Sequence, residues 1–466
     1  MHKMGKNVMR SDQGVMAIKR RSLIGIGMIL LLVTFCFSPQ FTSIYNIPPT
    51  LRIIEGETAI FTVSFPLTVA VPRDLEQVVQ LKSNPRFSAD GLLNSLSQPV
   101  TLEPMKRGTA NVEFKLLGII PLRTVEVNVL PSIKLSPGGQ SIGVVLHSQG
   151  VLVVGISPVK TTSGLKVPAK ETGILIGDSI LSMNGVPVQN DSQVAEIIDK
   201  AGQKGEQVAL LIKRGEQRLH FNITPQYCED TKRHRIGLYV RDSAAGVGTL
   251  TFYEPSTYTY GALGHVITDN DTNQPIDCQQ GKIVIATVSG IQLGRRGHPG
   301  EKIGMFIEED QTIGNIEKNT AFGIFGQLVE PVSNNVYQNA IPVASMSQIQ
   351  LGPAEMLTVV DGQTIEPFKI EIEKINLQEA PEAKGLVIKV TDERLLQKTG
   401  GIVQGMSGSP IIQDGKIVGA VTHVFVHDPT KGYGCFMDWM LMESGLIPKK
   451  TSHTARKLFS FSRCFI

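Results

Sequence analysis

The stretch that decides the fold runs from residue 400 to residue 425 and reads GGIVQGMSGSPIIQDGKIVGAVTHVF. Two apolar runs, residues 410–412 and 417–421, flank Asp414 and Gly415. Asp-Gly between short apolar runs is a strong hairpin signal, because both turn residues must adopt positive φ. The sequence therefore predicts two antiparallel strands joined by a tight turn.

A serine flanked by glycines, Gly405-Met406-Ser407-Gly408, stands just before the first of these strands. Glycines let the backbone turn sharply and leave N–H groups pointing at the atom that the hydroxyl attacks. A lone Gly-x-Ser-Gly is as often a plain turn, since both residues are common. Its place at the head of a hairpin favours a nucleophile, Ser407, with the amides of Gly405 and Ser407 as the oxyanion hole. Ser409 is the alternative nucleophile.

The composition describes an ordinary globular chain. Its 466 residues suggest about three domains, and a net charge of +3 gives no sign of nucleic-acid binding. No Cys-x-x-Cys pair and no histidine-rich cluster occurs, so we expect neither a metal site nor a cofactor. Cys228 and Cys278 are candidates for pairing outside the cytoplasm, but spacing alone does not decide it.

An export signal is predicted near the start of the chain. Residues 23–37 form an unbroken run of apolar and small residues behind Lys19-Arg20-Arg21, and no good cleavage site follows. We expect an uncleaved signal anchor over residues 22–38, with a basic segment, residues 1–21, in the cytoplasm and the remainder outside. A buried core helix is the alternative, but the run shows no amphipathic period.

The rest of the chain predicts a mostly β, multidomain protein. Residues 41–130 alternate between apolar and polar residues, as in a small β domain. Residues 229–447 contain many short strands, which favours a pair of β-barrels. Residues 448–466 read as a disordered tail.

Residues 133–226 carry a more specific α+β pattern. Residues 173–188 read GILIGDSILSMNGVPV, with a predicted turn at Asn184-Gly185. Asp191 is predicted to cap a helix that Gly202 ends. Its apolar positions follow the i, i+3, i+4, i+7 spacing and are Val194, Ile197, Ile198 and Ala201.

This block resembles a PDZ domain, most clearly in the run GDSILSMNG. The resemblance implies that residues 141–144 form the loop that holds a peptide carboxylate with its backbone amides. It also implies that an extended peptide adds as a strand beside residues 144–146, under the helix. The alternative is a generic α+β domain without a ligand. The implied loop residues are Ser141, Ile142, Gly143 and Val144.

A serine nucleophile needs a base and an acid. Among nine histidines, His265 stands out, because glycines in the run GALGHVITD give close access to its ring. His423, on the strand after the serine, is the runner-up and is predicted to pack in the core. Asp392, at the end of a strand over residues 386–390, and Asp269 are both candidates for the acid, whereas Asp361 has the context of a turn residue.

Three segments, GALGHVITD, TDERLL and GGIVQGMSGSP, together with the PDZ unit and the anchor, resemble the stage IV sporulation protein B family of membrane-tethered serine peptidases. The resemblance implies a chymotrypsin-like fold, with His265 as base, Asp392 as the orienting acid and Ser407 as nucleophile. Asp392 lies only fifteen residues before Ser407, unlike ordinary chymotrypsin relatives, so a strict two-barrel layout does not follow.

Geometry and resemblance together favour Asp392 over Asp269. Only a predicted turn over residues 393–401 separates Asp392 from the serine segment, and so short an excursion can return close to its start. Asp269 is instead expected to cap the turn formed by residues 269–271.

The resemblance also implies a signalling serine endopeptidase in the forespore membrane, with its catalytic part in the intermembrane space. Such an enzyme cleaves itself and a membrane-bound regulator of an intramembrane metalloprotease, which leads to activation of a late mother-cell sigma factor. The expected partners are therefore a peptide or protein substrate and the membrane, not nucleic acid. The alternatives are a stress-response protease, whose PDZ domain would follow the peptidase, and an inactive PDZ adaptor, which would lack the nucleophile or the base.

Overall fold

The structure, a computed structural model, describes residues 49–56, 58–64, 67–82, 97–306, 312–378 and 380–448. The predicted basic segment, the signal anchor and all of the predicted C-terminal tail except Pro448 lie outside these residues. No helix in the described ranges is long and apolar enough to cross a membrane. The chain forms two compact units, one ending at Ser132 and one beginning at Ile133.

The first unit is all β in the ranges described. β1, β7, β6 and β3 form one sheet in that order, and β2, β5 and β4 form another. Buried Val69 and Val112 from the first sheet share one core with Val100 and Leu102 from the second. The predicted β structure of this region is confirmed. The strands are β1 Thr50–Ile54, β2 Ala59–Ser64, β3 Leu67–Ala70, β4 Val79–Leu81, β5 Ser97–Pro104, β6 Gly108–Leu116 and β7 Ile120–Leu130.

The second unit begins with a branched sheet of 14 strands and two small hairpins, β10-β11 and β16-β17. Its strands are β8 Lys134–Pro137, β9 Ser141–Ile156, β10 Val159–Thr161, β11 Gly164–Lys166, β12 Ser179–Met183, β13 Val186–Pro187, β14 Val208–Arg214, β15 Gln217–Ile223, β16 Gln226–Cys228, β17 Arg233–Arg235, β18 Leu238–Tyr253, β19 Thr259–Ala262, β20 Cys278–Gln292, β21 Glu301–Phe306, β22 Thr312–Asn315, β23 Lys318–Thr320, β24 Gly323–Gln327 and β25 Ile341–Pro342.

A closed six-stranded barrel completes the second unit, in the order β26-β27-β28-β31-β30-β29. The predicted hairpin is confirmed, since Asp414 and Gly415 have φ of 50° and 72° between β29 and β30. The strands are β26 Gly352–Val359, β27 Ile365–Ile375, β28 Leu386–Val390, β29 Pro410–Gln413, β30 Lys416–Phe425 and β31 Asp428–Phe436, and the helices of the unit are α1 Pro168–Thr172, α2 Asp191–Lys204, α3 Glu393–Thr399 and α4 Met437–Ser444.

Of the predicted pair of β-barrels, one closed barrel is present in the described residues and the second is not. Three long strands, β9, β18 and β20, explain the difference. β9 pairs with β18 along most of its length, and its first half also pairs with β20. At Gly150, where φ is 78°, β9 bends, and its second half pairs with β12 instead. β9 and β18 each continue from the PDZ-like part into the sheet next to the closed barrel. This sheet and the PDZ-like part are therefore one continuous sheet, not a separate second barrel.

The PDZ-like part has its own apolar core, in which Val194, Ile198 and Ala201 of α2 pack on β9, β12 and β14. The helix is confirmed with shifted ends. Asn190, rather than Asp191, caps it, because the Asn190 side chain accepts a hydrogen bond from Gln193 N. The helix continues past Gly202 to Lys204, and Gly205 ends it with φ of 70°.

No disulfide bond forms among the described residues. Cys228, Cys278 and Cys435 are all free thiols, so Cys228 and Cys278 do not pair.

The bend in β9 yields a test with a matched control. A Cβ on Gly150 would lie 2.3 Å from Ile180 O, whereas a Cβ on Gly215, where φ is 58°, would meet nothing within 4 Å. Both Ala variants should lose about 1 kcal/mol of unfolding free energy to the left-handed backbone. Gly150→Ala should lose about 1–3 kcal/mol more to the clash, as measured by urea denaturation. Equal losses would contradict the close packing of β9 on β12.

Candidate active site

The serine segment is a tight elbow between α3 and β29. Gly405 and Gly408 have φ of 91° and 93°, which only glycine adopts readily. A Cβ on Gly408 would lie 2.1 Å from Thr249 O and 2.4 Å from Leu263 N. Glycine is therefore required at position 408, where the elbow touches the segment that leads to His265.

Thr249 of β18 holds both sides of the elbow. Its backbone N–H donates to Ser407 O at 3.0 Å, and its hydroxyl donates to Gly405 O at 2.8 Å. Leu263 N donates to Thr249 O at 3.2 Å, which ties the histidine segment to the same residue. Thr249 is completely buried, so these bonds are shielded from water.

Two amides of the elbow are available to a ligand. Met406 N donates to Val403 O and Gly408 N to Val421 O, but Gly405 N and Ser407 N donate to no acceptor in the described part of the chain. These are the two amides predicted to form the oxyanion hole. Donors aimed at a developing oxyanion are typically the largest single contribution to such catalysis.

His265 has the tautomer and the lowered pKa that the predicted role as a base requires. Its Nδ1 lies 2.8 Å from Val266 O, and this carbonyl selects the tautomer with the proton on Nδ1 and a lone pair on Nε2. Burial lowers the pKa of His265 from its ordinary value of 6.5. The ring is therefore neutral, and able to accept a proton, at neutral pH.

His423 lies beside His265 rather than in the core, so the predicted core position is wrong. The two ring centroids are 5.1 Å apart, and the His423 residue is exposed to solvent. Desolvation by the surrounding atoms, then the neighbouring His265 and Lys384, lower the pKa of His423 to about 4.

The serine does not face either histidine as a hydrogen-bond partner in this structure. Ser407 Oγ donates to Thr422 O at 2.8 Å, one residue before His423. The structure thus brings Ser407, His265 and His423 into one neighbourhood without forming the serine–histidine bond. Ser409, the alternative nucleophile, is completely buried, and its hydroxyl has no hydrogen-bond partner among the described residues.

Asp392 is engaged elsewhere. The predicted turn after it is the helix α3, and Asp392 is its N-cap. One carboxylate oxygen accepts from Arg394 N at 3.0 Å, and the other from Lys369 N at 3.2 Å. The hydrogen bond from the Arg394 side chain is the main reason why the pKa of Asp392 falls to about 2. No hydrogen bond joins Asp392 to His265 here, so its orienting role stays a prediction.

Asp269 acts as the turn cap that the sequence predicts. Its carboxylate accepts from Asp271 N at 3.0 Å and Thr272 N at 2.9 Å, and it forms an ion pair with Arg241. Burial alone would raise the pKa of Asp269, but these hydrogen bonds outweigh it and lower the pKa. Asp361 is exposed, which fits a turn residue.

Residues 141–144 are not a loop, and the prediction that they hold a peptide carboxylate is wrong. They form the start of β9, with β18 on one edge and β20 on the other. All four residues are buried, and their backbone groups face neighbouring strands rather than an open site. These residues are Ser141, Ile142, Gly143 and Val144.

The strand edge that lies next to α2 belongs instead to β18. Leu238, Tyr239 and Val240 pair with β9 on one side, and no strand within the described ranges pairs with their other side. α2 packs against β17 and the beginning of β18. Leu238 and Val240 pack on the PDZ-like core, as the inward side chains of a peptide-binding strand do.

Sequence reasoning missed Thr249 and Lys302, which support the elbow from behind. Lys302 is buried in β21, while its neighbours Ile303 and Met305 are 55% and 59% exposed. Side chains alternate along β21 so that the lysine points inward and the two apolar residues point outward, which is the reverse of the usual pattern. The local sequence therefore gives no signal that Lys302 is buried. The described residues contain no group of His, Cys, Asp and Glu side chains that could hold a metal ion.

A serine in a glycine elbow, a neutral histidine next to it and two unengaged amides are the working parts of a serine peptidase, here set at one end of a β-barrel behind a PDZ-like unit. Comparison with known families agrees on both parts. The SpoIVB peptidase S55 family matches residues 232–441, and the PDZ family matches residues 142–224. The chain is thus a serine peptidase whose residues 232–441 match the SpoIVB peptidase S55 family and whose residues 142–224 match a PDZ domain, which together support a serine peptidase of sporulation.

The order of the two matches, PDZ before peptidase, is the reverse of that expected for the stress-response alternative. No curated protein matches the chain. Among solved structures, one titled "Structure of GrC" is 10% identical over 44% of this chain and 88% of that chain. Its TM-score of 0.22 is too low to support an argument about the fold.

The two roles open to Asp392 predict different results for Asp392→Asn. Asparagine caps helices about as well as aspartate, so a residue that only caps α3 should leave the rate nearly unchanged. A residue that orients His265 should cost about four decades in rate, nearly as much as His265→Ala. We expect the larger loss, and about a decade or less for Asp269→Asn, measured on one peptide substrate with folding checked by circular dichroism. A folded, active Asp392→Asn beside a folded, inactive Asp269→Asn would overturn the assignment.

Proposed function

We propose that the protein is a membrane-anchored serine endopeptidase that works through an acyl-enzyme, with Ser407 as nucleophile and His265 as base. The observation that carries this proposal is the neighbourhood of Ser407, His265 and the unengaged amides of Gly405 and Ser407. Asp392 is assigned as the residue that orients His265, on the strength of the family resemblance.

The chemistry follows from these positions. Ser407 Oγ attacks the scissile carbonyl carbon while His265 Nε2 takes the hydroxyl proton, and the resulting oxyanion binds Gly405 N and Ser407 N. The carbon–nitrogen bond then breaks, and His265 returns the proton to the leaving amine. Water, activated by the same histidine, attacks the ester and releases the second product with Ser407 restored.

One rearrangement must precede the first step. Ser407 Oγ has to leave Thr422 O and turn its hydroxyl to His265. A single hydrogen bond of this kind contributes about 1 kcal/mol net, so a bound substrate can supply the energy of the exchange. The structure therefore corresponds to a resting arrangement of the site.

The substrates and the location extend the proposal. We infer that the enzyme cleaves itself and a membrane-bound regulator of an intramembrane metalloprotease, leading to late mother-cell sigma-factor activation. We infer further that residues 22–38 anchor it in the forespore membrane with the catalytic part in the intermembrane space. The apolar run behind Lys19-Arg20-Arg21 supports the anchor. Membrane fractionation tests it, and recovery of the full-length protein in the soluble fraction would contradict it.

We assign peptide binding in the PDZ domain to the free edge of Leu238, Tyr239 and Val240 beside α2. An extended peptide can add there as a strand, antiparallel to β18. Arg233 and Arg235, just before this edge, supply positive charge for the peptide carboxylate.

Ser407→Ala tests the nucleophile. Nucleophile and base act as one unit, so the variant should lose about four to six decades in rate while remaining folded. Self-cleavage of the purified full chain, followed by gel and mass spectrometry, gives the readout. Full activity in Ser407→Ala would end the assignment.

The peptide edge is tested in the Ser407→Ala background, where ligand is not consumed. Ile197 is a partly buried residue of α2 beside the edge, whereas Ile303 is exposed on β21. Ile197→Ser should weaken binding of a pool of random hexapeptides with free C-termini by about tenfold. Ile303→Ser should leave it unchanged, as followed by fluorescence anisotropy. Equal binding by both variants would place the peptide elsewhere.

A further inference from the structure

Lys302 is the most unusual buried group in the part of the chain that the structure describes. It is 1% exposed, and its Nζ has no carboxylate partner among the described residues. Its contacts are three hydroxyl oxygens, each on a different strand: Thr358 at 2.8 Å on β26, and Ser141 on β9 and Thr249 on β18, both at 3.4 Å.

Such a site is costly for folding. A buried ammonium without a counter-ion loses its hydration, and neutral hydroxyls replace only part of it. Burial accordingly lowers the pKa of Lys302 to about 7. A methionine of similar length would fill the space without this penalty, so the amine itself needs a reason to be there.

The contacts of Lys302 with the serine elbow suggest why an amine is present at this buried position. A Cβ on Gly405 would lie 3.0–3.2 Å from Cβ, Cγ and Cδ of Lys302, so the lysine stem lines the back of that glycine. Lys302 N donates to Gln404 O at 2.9 Å. Thr249 Oγ1, which contacts Lys302 Nζ, donates its own proton to Gly405 O at 2.8 Å.

We propose that Lys302 is a positioning residue for the oxyanion hole, and that its ammonium, acting through the Thr249 hydroxyl, fixes the Gly405–Ser407 amides toward the developing negative charge. The ammonium donates to Thr249 Oγ1, which directs the Thr249 proton to Gly405 O and holds the peptide planes of the elbow. A positive charge behind the elbow, away from water, also favours an oxyanion in front of it. This inference rests on the proposed role of Ser407.

A pH dependence follows with a definite sign. The groups that face Lys302 Nζ are the hydroxyls of Ser141, Thr249 and Thr358, none of which titrates near neutrality. The ammonium is present below pH about 7 and is lost above it. Activity that depends on this charge should fall as pH rises through that value. On the acid side, activity should fall only below the ordinary histidine value of 6.5, because the pKa of His265 is lowered.

The experiment measures the rate at which a fluorophosphonate labels full-length protein in detergent micelles, from about pH 5 to about pH 9. In labelling, Ser407 Oγ bonds to phosphorus, fluoride leaves and the serine proton passes to His265. Lys302→Met should lower the rate about 10–100-fold and should remove the alkaline fall. Lys204→Met, an exposed lysine at the end of α2, is the matched control and should behave as wild type.

Thr358→Val is the second variant, because it removes the shortest contact of Lys302 Nζ and keeps the side-chain shape. The charged amine is then less stabilised, so the alkaline fall should move to lower pH. A folded Lys302→Met with the wild-type rate and the wild-type alkaline fall would overturn the proposal. If Lys302→Met does not fold, an unshifted fall in Thr358→Val overturns it instead. Absence of label on Ser407 in the wild type would refute the assignment of Ser407 as nucleophile. This outcome is distinct from one in which Ser407 is labelled but Lys302 has no influence on the rate.

Discussion

The hydrogen bonds between Thr249 and the serine elbow are the interactions on which the rest of the site depends. The backbone of Thr249 holds Ser407 O, its hydroxyl holds Gly405 O, and its carbonyl receives Leu263 N from the histidine segment. One residue of β18 therefore ties the segment of the proposed nucleophile to the segment of the proposed base. β18 also begins beside α2 of the PDZ domain, so a single strand runs from the proposed peptide edge to the serine elbow.

Each member of the predicted triad has a local partner in this structure. Ser407 donates to Thr422 O, His265 contacts Val266 O, and Asp392 binds Arg394. Peptidase activity requires at least the serine to exchange its partner.

The sequence predicts correctly those features that depend on neighbouring residues alone. Asp414-Gly415 predicted the hairpin, because turn geometry is a property of the two residues themselves. The sequence could not predict that residues 141–144 would be enclosed by β18 and β20, because strand partners distant in the chain leave no mark on a short segment. The sequence predicts a turn after Asp392, although an aspartate N-cap before helix-forming residues also fits the observed α3. The burial of Lys302 depends entirely on tertiary packing.

The central claim is that Ser407, His265 and the amides of Gly405 and Ser407 form one catalytic site. An experimental structure of the full-length protein after reaction with a fluorophosphonate tests it most directly. We predict phosphorus on Ser407 Oγ, a phosphoryl oxygen within hydrogen-bond distance of Gly405 N and Ser407 N, and His265 Nε2 within reach of Ser407 Oγ. Phosphorus on Ser409, or a phosphoryl oxygen bound away from both amides, would contradict it.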